Sequence, residues 1–327
     1  MNHSLASRPL AATLALAISL AMGSAATVIA PQAVLAAAPQ QKTQAPGWYR
    51  LMLGKIEVTS LSDGTLDLPV GKLLHVPHGA KSPLPAIPAV QETSVNAWLI
   101  NTGERLVLVD AGAGKLFGPT LGHVVAQIRA AGYQPEQVDD ILITHAHSDH
   151  VGGLADDGKR TFVNATVHLD RREAEYWLSQ ARADAASPAN KDFFVGAMAS
   201  LNPYVQAGEV KTFDGAGAVV PGIAALSTHG HTEGHTAYVV ESEGKRLVLI
   251  GDLIHVANVQ LRAPDVTIAF DTDEKRAAAM RARTFAQLAK DDGLVAVSHF
   301  AFPGIGRIRP AGKGWQWVPV DYSTQMR

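Results

Sequence analysis

The sequence contains no cysteine. Disulfide frameworks, thiolate nucleophiles and Cys-ligated zinc are therefore excluded, and any metal must sit on histidine or carboxylate. Neither sign of charge dominates: 28 Lys and Arg stand against 30 Asp and Glu, a formal net charge of -2. No basic field exists to steer the chain onto nucleic acid or an anionic membrane. Charged residues are only 18%, but hydrophobic residues reach 47%, which supplies enough apolar surface to offset the entropy of ordering and excludes a disordered chain. The 327 residues allow one large domain or two smaller ones. What stands in surplus is histidine, with 13.

Residues 1–36 read as a secretory signal peptide. His3 and Arg8 give a weakly positive start, Leu10 to Met22 is a short run rich in Leu, Ala and Ile, and small residues follow. The run is too short for a spanning helix of ~20 residues, although an uncleaved anchor is the alternative. Cleavage is expected after Ala36, because Pro39 disfavours a cut directly after Ala38. Residues 37–327 are expected to form a single domain, exported to the periplasm or medium, with no membrane attachment once the leader is removed.

In the mature chain, Tyr49–Leu53 and Lys55–Leu61 read as strands, with a turn at Ser62-Asp63-Gly64. Residues 69–92 carry five prolines and read as an irregular loop. Val95–Ile100 and Arg105–Asp110 look like paired strands, Thr120–Ala131 has helical spacing, and Asp140–Thr144 is a short β-branched strand. A mostly helical stretch runs from Arg171 to Leu201. Val219–Ser227, Tyr238–Ser242, Arg246–Ile250 and Leu294–Ser298 again read as strands. Asp271 with Glu274 resembles a capping box for a helix running to about Lys290, with Ala277, Met280, Thr284 and Leu288 as its buried stripe. Gly314–Val318 is expected to close a sheet. Strands and helices thus follow one another twice, which fits a four-layer α/β sandwich with sheets inside and helices outside. A doubly wound sheet remains compatible with the pattern.

The strongest signal is Thr144-His145-Ala146-His147-Ser148-Asp149-His150, four potential ligands in six residues directly after a strand. A turn there can send His145 and His147 to one point while Asp149 and His150 reach a second, and imidazole with carboxylate suits zinc. Further donors lie at later strand ends: Gly230-His231-Thr232-Glu233-Gly234-His235, Gly251-Asp252 after the apolar Leu247–Ile250, and Ser298-His299. An acid closing an apolar strand is costly to leave unpaired. Singly, each has a bland explanation, such as Asp capping a helix; together they complete a two-metal site.

These motifs, in this order, resemble the metallo-β-lactamase superfamily. The resemblance implies a four-layer αββα sandwich and two divalent metal ions per chain, zinc by ligand type. It implies that His145, His147 and His231 hold the first metal and that Asp149, His150 and His299 hold the second, with Asp252 bridging. Asp252, Asp149 and His150 would also carry the catalysis. His235 matches a frequent non-ligand, and Asp110 matches an acid that supports a ligand imidazole from behind. β-Lactamases with a Cys ligand are impossible here, other β-lactamases generally lack the bridging acid, and no basic glutathione-binding region like that of glyoxalase II is present. Within the superfamily the chain looks like the methyl parathion hydrolases, through Tyr133–Asp139, Ala197–Val205 and Phe302-Pro303-Gly304-Ile305-Gly306. That likeness implies a homodimer, and it implies that Phe117, Trp177 and Phe193 line a leaving-group pocket.

The departures from that group concern the substrate. Methyl parathion hydrolases carry Arg, Leu, Thr and Leu where this chain has Leu73, His255, Ile268 and Phe270, and one residue is missing near Asn190-Lys191-Asp192. His255 and Phe270 narrow the expected pocket, so a flat lactone or aryl ester fits better than a tetrahedral phosphotriester. The sequence therefore points to a two-metal hydrolase of lactones or aryl esters, with organophosphate triester hydrolysis as the alternative. A metal-sequestering protein is the non-enzyme rival and predicts tight metal without turnover.

Overall fold

Side chains along the strand Gln91–Asn101 alternate between two cores, and this alternation builds the layers. In the computed structural model, which describes residues 38–77 and 86–326, Ala97 and Leu99 face one apolar cluster while Trp98 and Ile100 face another. A period of two is what a strand with helices on one side and a second sheet on the other requires. The chain divides into units of residues 1–43 and 44–327. Of the first, only residues 38–43 are described, and they have no regular structure. The expected signal peptide and its cleavage point lie outside the described residues.

Among the described residues of the second unit, two seven-stranded sheets each follow chain order. The first contains Trp48–Leu53, Ile56–Leu68, Gln91–Asn101, Leu106–Val109, Asp140–Leu142, Thr166–Asp170 and Val210–Phe213. The second contains Gly217–Val220, Ile223–Ser227, Thr236–Ser242, Lys245–Leu249, Leu294–Ala296, Ile305–Ala311 and Gly314–Pro319. The inner cluster joins both sheets, with Trp98, Val107, Val109 and Leu142 of one packed against Tyr238, Val240, Leu247 and Leu249 of the other. The outer face of the first sheet is covered by the helices Val124–Ala130, Arg171–Trp177, Gln180–Ala185 and Pro188–Ala207. The helix Glu274–Asp291 covers the second through Phe285 and Leu288. This is the four-layer αββα sandwich, and fully burying each such large apolar side chain contributes about 1.5–3 kcal/mol. No helix among the described residues is long and apolar enough to cross a membrane.

Several local expectations change. The turn at Ser62-Asp63-Gly64 is a bulge inside one long strand. It turns Asp63 inward, where the carboxylate accepts from the backbone N–H groups of Ala113, Gly122 and Val124 at 2.8–3.0 Å. Those bonds hold residues 120–123 outside the helix, which spans only Val124–Ala130. Val219–Ser227 is two strands, Gly217–Val220 and Ile223–Ser227, joined through Pro221-Gly222. The strands Thr166–Asp170 and Val210–Phe213 are too short and polar to signal themselves. Within the proline-rich stretch, Val70–Leu73 forms one helical turn and Leu74–His75 pairs with Thr267–Ile268.

The capping box is also displaced. Asp273, not Asp271, caps the helix Glu274–Asp291 by accepting from Arg276 N. The buried stripe of that helix includes Arg281 and Phe285, while Met280 is only partly buried. Asp271 is thereby released for another task.

Candidate metal centre

The donors converge because strand ends of both sheets open onto one edge. Leu106–Val109, Asp140–Leu142 and Thr166–Asp170 run parallel, and Asp110, the His145–His150 loop and Glu173 follow their ends. In the second sheet Lys245–Leu249 and Leu294–Ala296 run parallel and lead to Asp252 and His299. Gly251 makes the entry to Asp252 with φ +51, and a Cβ there would lie 2.7 Å from His235 Nε2, so only glycine lets the turn close.

The structure brings all seven expected donors together. His145, His147, His231 and Asp252 form one group whose donor atoms lie within 4.8 Å of one another, and Asp149, His150 and His299 form a second. Asp252 faces both groups. Its Oδ2 lies 3.5 Å from His145 Nε2 and from His231 Nε2 and 3.0 Å from His299 Nε2; its Oδ1 lies 3.3 Å from His150 Nε2. Asp149 Oδ2 is 3.5 Å from both His150 and His299.

Hydrogen bonds behind the rings set which nitrogen keeps its lone pair. His150 Nδ1 donates to Asp110 at 2.8 Å, His231 Nδ1 to Asp271 at 2.8 Å, and His299 Nδ1 to Ser94 O at 3.0 Å. Thr144 Oγ1 donates to Asp110 and so accepts from His145 Nδ1 at 3.1 Å. With Nδ1 committed in this way, all four imidazoles turn Nε2 inward, toward Asp252. His145 Nε2, His150 Nε2 and Asp252 Oδ1 are buried with no hydrogen-bond partner. Buried polar atoms are seldom left so, and inward-turned imidazole nitrogens around shared carboxylates fit a bound cation that would take the place of protons. The clusters support divalent metal binding.

Electrostatics agree. Burial pushes His145 and His147 well below the ordinary imidazole range, and neighbouring histidines add to it, so both are neutral and free to donate a lone pair. Burial opposes the charge on Asp252, yet His150 and His299 outweigh it and hold the carboxyl well below the usual range. Asp110, Asp149 and Asp252 place three carboxylates around His150. Burial opposes its protonation, but Asp252 and the others raise it well above its ordinary value. The pocket is a sink for positive charge.

His235 is engaged on both sides, accepting from Asp252 N at 3.0 Å and facing Thr228 Oγ1 at 2.8 Å, so it has no donor atom left for the centre. His255, expected to wall the pocket close to the metals because it follows Asp252 by three residues, stands beside that carboxylate. Its Nε2 lies 3.1 Å from Asp252 Oδ2, its ring stacks on His299 at 5.0 Å, and it joins Asp252 and His299 as a third donor group. Burial pushes its imidazole down to about 4 against the pull of Asp252.

Of the expected pocket aromatics, Phe193 and Trp177 pack on His147 with ring centroids at 4.7 and 5.2 Å. Phe270 bridges Phe193 and His255, at 6.2 and 6.1 Å. Phe117 is exposed on the loop before Val124–Ala130. Ile268 is fully buried in a satellite cluster against which Leu73 and Phe270 pack, so it shapes the wall only through Phe270.

Asp271 is the functional residue the sequence reading misplaced as a helix cap. Besides His231 it accepts from Ile268 N at 3.2 Å, and its Oδ2 lies 3.5 Å from the buried guanidinium of Arg281. Arg281 in turn donates to the carbonyls of Leu253, Pro264 and Val266, tying the segment after Asp252 to the same support. The signal available was a second acid, Asp273, better placed to cap. Asp271→Asn should therefore weaken metal affinity about tenfold, read by chelator competition, while helicity stays unchanged. Loss of helix with intact affinity would restore the capping role.

Residues 90–299 match the Metallo-beta-lactamase superfamily. Among solved structures the chain is similar to the hydrolase AbOPH in the beta lactamase superfamily, with a TM-score of 0.79 and 34% identity, covering 86% of this chain and 100% of that one. It also resembles AidC, a dizinc quorum-quenching lactonase, with a TM-score of 0.75 and 23% identity over 85% of this chain and 99% of that one, a likeness of fold. An N-acyl homoserine lactonase of Bacillus cereus is 28% identical over 172 residues, 47% of this chain and 60% of the relative. The chain thus spans under two thirds of the length of the curated relatives that it matches.

Proposed function

The chain belongs to the metallo-beta-lactamase superfamily, and from that premise we propose that it is a two-metal, zinc-dependent hydrolase of neutral esters, acting on lactones and aryl carboxylic esters. The observation that carries this is Asp252, one buried carboxylate facing the imidazoles of both donor groups. A sequestering protein has little use for a shared carboxylate, whereas ester cleavage uses two adjacent cations.

His145, His147 and His231 would hold one cation, Asp149, His150 and His299 the other, and Asp252 both. Bound there, divalent metal would lower the pKa of a water and polarise the ester carbonyl. The protein's own part is placement. Asp110 and Asp271 orient two of the imidazoles, and Phe193 and Phe270, with Trp177 packed behind Phe193, supply apolar ring surface beside His147 and His255 for an aryl or lactone ring. The N-acyl homoserine lactonase of Bacillus cereus supports a lactone as the substrate class. Organophosphate triesters are the rival class, and the crowding of Asp252 by His255 and of His255 by Phe270 disfavours them.

The test is turnover of dihydrocoumarin, an aryl acetate and a methyl phosphotriester side by side, before and after chelation. We expect chelation to abolish activity, zinc to restore it, and the lactone and aryl ester to lead. Metal-loaded protein that turns over none of the three would overturn the proposal in favour of sequestration.

A further inference from the structure

We infer that Glu173 is a positioning residue whose single carboxylate sets the distance between the two loops carrying His145, His147 and His231, and so sets the cation affinity of that group. The inference rests on the proposed metal-binding role of those three histidines. Glu173 lies in the first turn of the helix Arg171–Trp177 and is fully buried. Its Oε1 accepts from the backbone N–H of Ala146, between His145 and His147, at 2.8 Å. Its Oε2 accepts from Thr232 Oγ1 and from Gly234 N, just after His231, each at 2.8 Å.

The two loops follow strands of different sheets; at their base Thr236 N donates to Thr144 O at 2.9 Å, and nearer the histidines Glu173 spans them. Gly234 shows how tightly the second loop is drawn in, because a Cβ there would lie 2.5 Å from Glu173 N. Asp271 turns one imidazole, whereas Glu173 holds the backbones beneath all three. Three donors point at the carboxylate, two from the His231 loop. An amide in its place must aim its NH2 at one loop's donors, and that loop must retreat. Because ligand nitrogens need placement within a few tenths of an ångström, the retreat weakens the His145–His147–His231 site more than the Asp149–His150–His299 side, which makes no contact with Glu173.

The test uses the full chain loaded with cobalt(II). For Glu173→Gln and Thr232→Val we would measure cobalt affinity by chelator competition, the visible absorption of the cobalt form, and melting of the metal-free protein. We expect Glu173→Gln to weaken one of two bound ions at least tenfold and to shift its absorption band. Thr232→Val should do so to a smaller degree, with metal-free melting near wild type in both. Unchanged affinity and spectrum, or equal weakening of both ions alongside a lowered metal-free melting temperature, would overturn the inference. If Glu173→Gln does not fold, Thr232→Val decides, since it removes one donor only; wild-type cobalt affinity there also overturns it. Turnover is not read, so protein that passes this test yet cleaves no ester sinks the proposed activity and leaves Glu173 its role.

Discussion

Asp252→Ala is expected to remove the shared ligand and activity together. At least one equivalent of metal per chain should be lost, and kcat/KM on dihydrocoumarin should fall by ~10³-fold or more, about 4 kcal/mol of transition-state stabilisation. The reason is geometric: Asp252 contributes to both donor groups at once, and its removal leaves His145, His150, His231 and His299 facing one another without a shared negative charge. His235→Ala is the matched control. His235 touches Asp252 only through the backbone N–H and offers the centre no donor, so elemental analysis should find its metal content largely intact. Equal metal loss from both variants would show that Asp252 acts through folding and not through ligation.

His255→Leu combined with Phe270→Leu is expected to move substrate preference. The imidazole of His255 sits 3.1 Å from Asp252, and Phe270 closes the gap between it and Phe193. A phosphotriester has substituents on every side of phosphorus, whereas a lactone is flat at its reacting carbon. Shortening Phe270 and removing a polar ring should raise kcat/KM on a methyl phosphotriester at least ~tenfold and lower it on dihydrocoumarin. The ratio should shift roughly 100-fold, about 2.7 kcal/mol. Ile268 is left in place, because threonine there would bury a hydroxyl within an apolar cluster. Because His255 can itself join a donor group with Asp252 and His299, metal content must be measured beside activity. A variant that keeps the wild-type metal content without gaining on the phosphotriester would refute the crowding argument.

The donor set was legible because its members are chemically unusual where they stand. Three histidines and an acid within six residues, and acids or histidines closing apolar strands, have few structural uses, so residue type alone marks them. The residues behind them were not legible in this way. Asp271 and Asp273 both precede a helix by a few residues, and only the backbone path decides which one caps it. Glu173 shares the inward face of its short helix with Trp177, a hint visible only once that helix is known to be buried. Asp63 looked like a turn residue because bulges and turns share their composition.

From sequence alone came an α/β pattern, the candidate donors and the expectation of a metal centre without thiolate, because alternation, strand-end chemistry and the absence of cysteine are properties of neighbours along the chain. The resemblance of the motifs pointed to the four-layer sandwich and the set of seven ligands. Tertiary structure gave the distances by which Asp252 faces both donor groups and His255 meets Asp252, and it alone decided that Ile268 lies buried behind Phe270. It also decided which buried groups touch the donor loops, with Asp271 on His231 and Arg281 and Glu173 on Ala146 and Thr232. These depend on how two sheets meet. The contacts of Asp252 with His150 and His299, of Asp271 with His231 and of Glu173 with Ala146 and Thr232 join residues tens of positions apart, and no local pattern encodes a distance set by packing across the interface between layers.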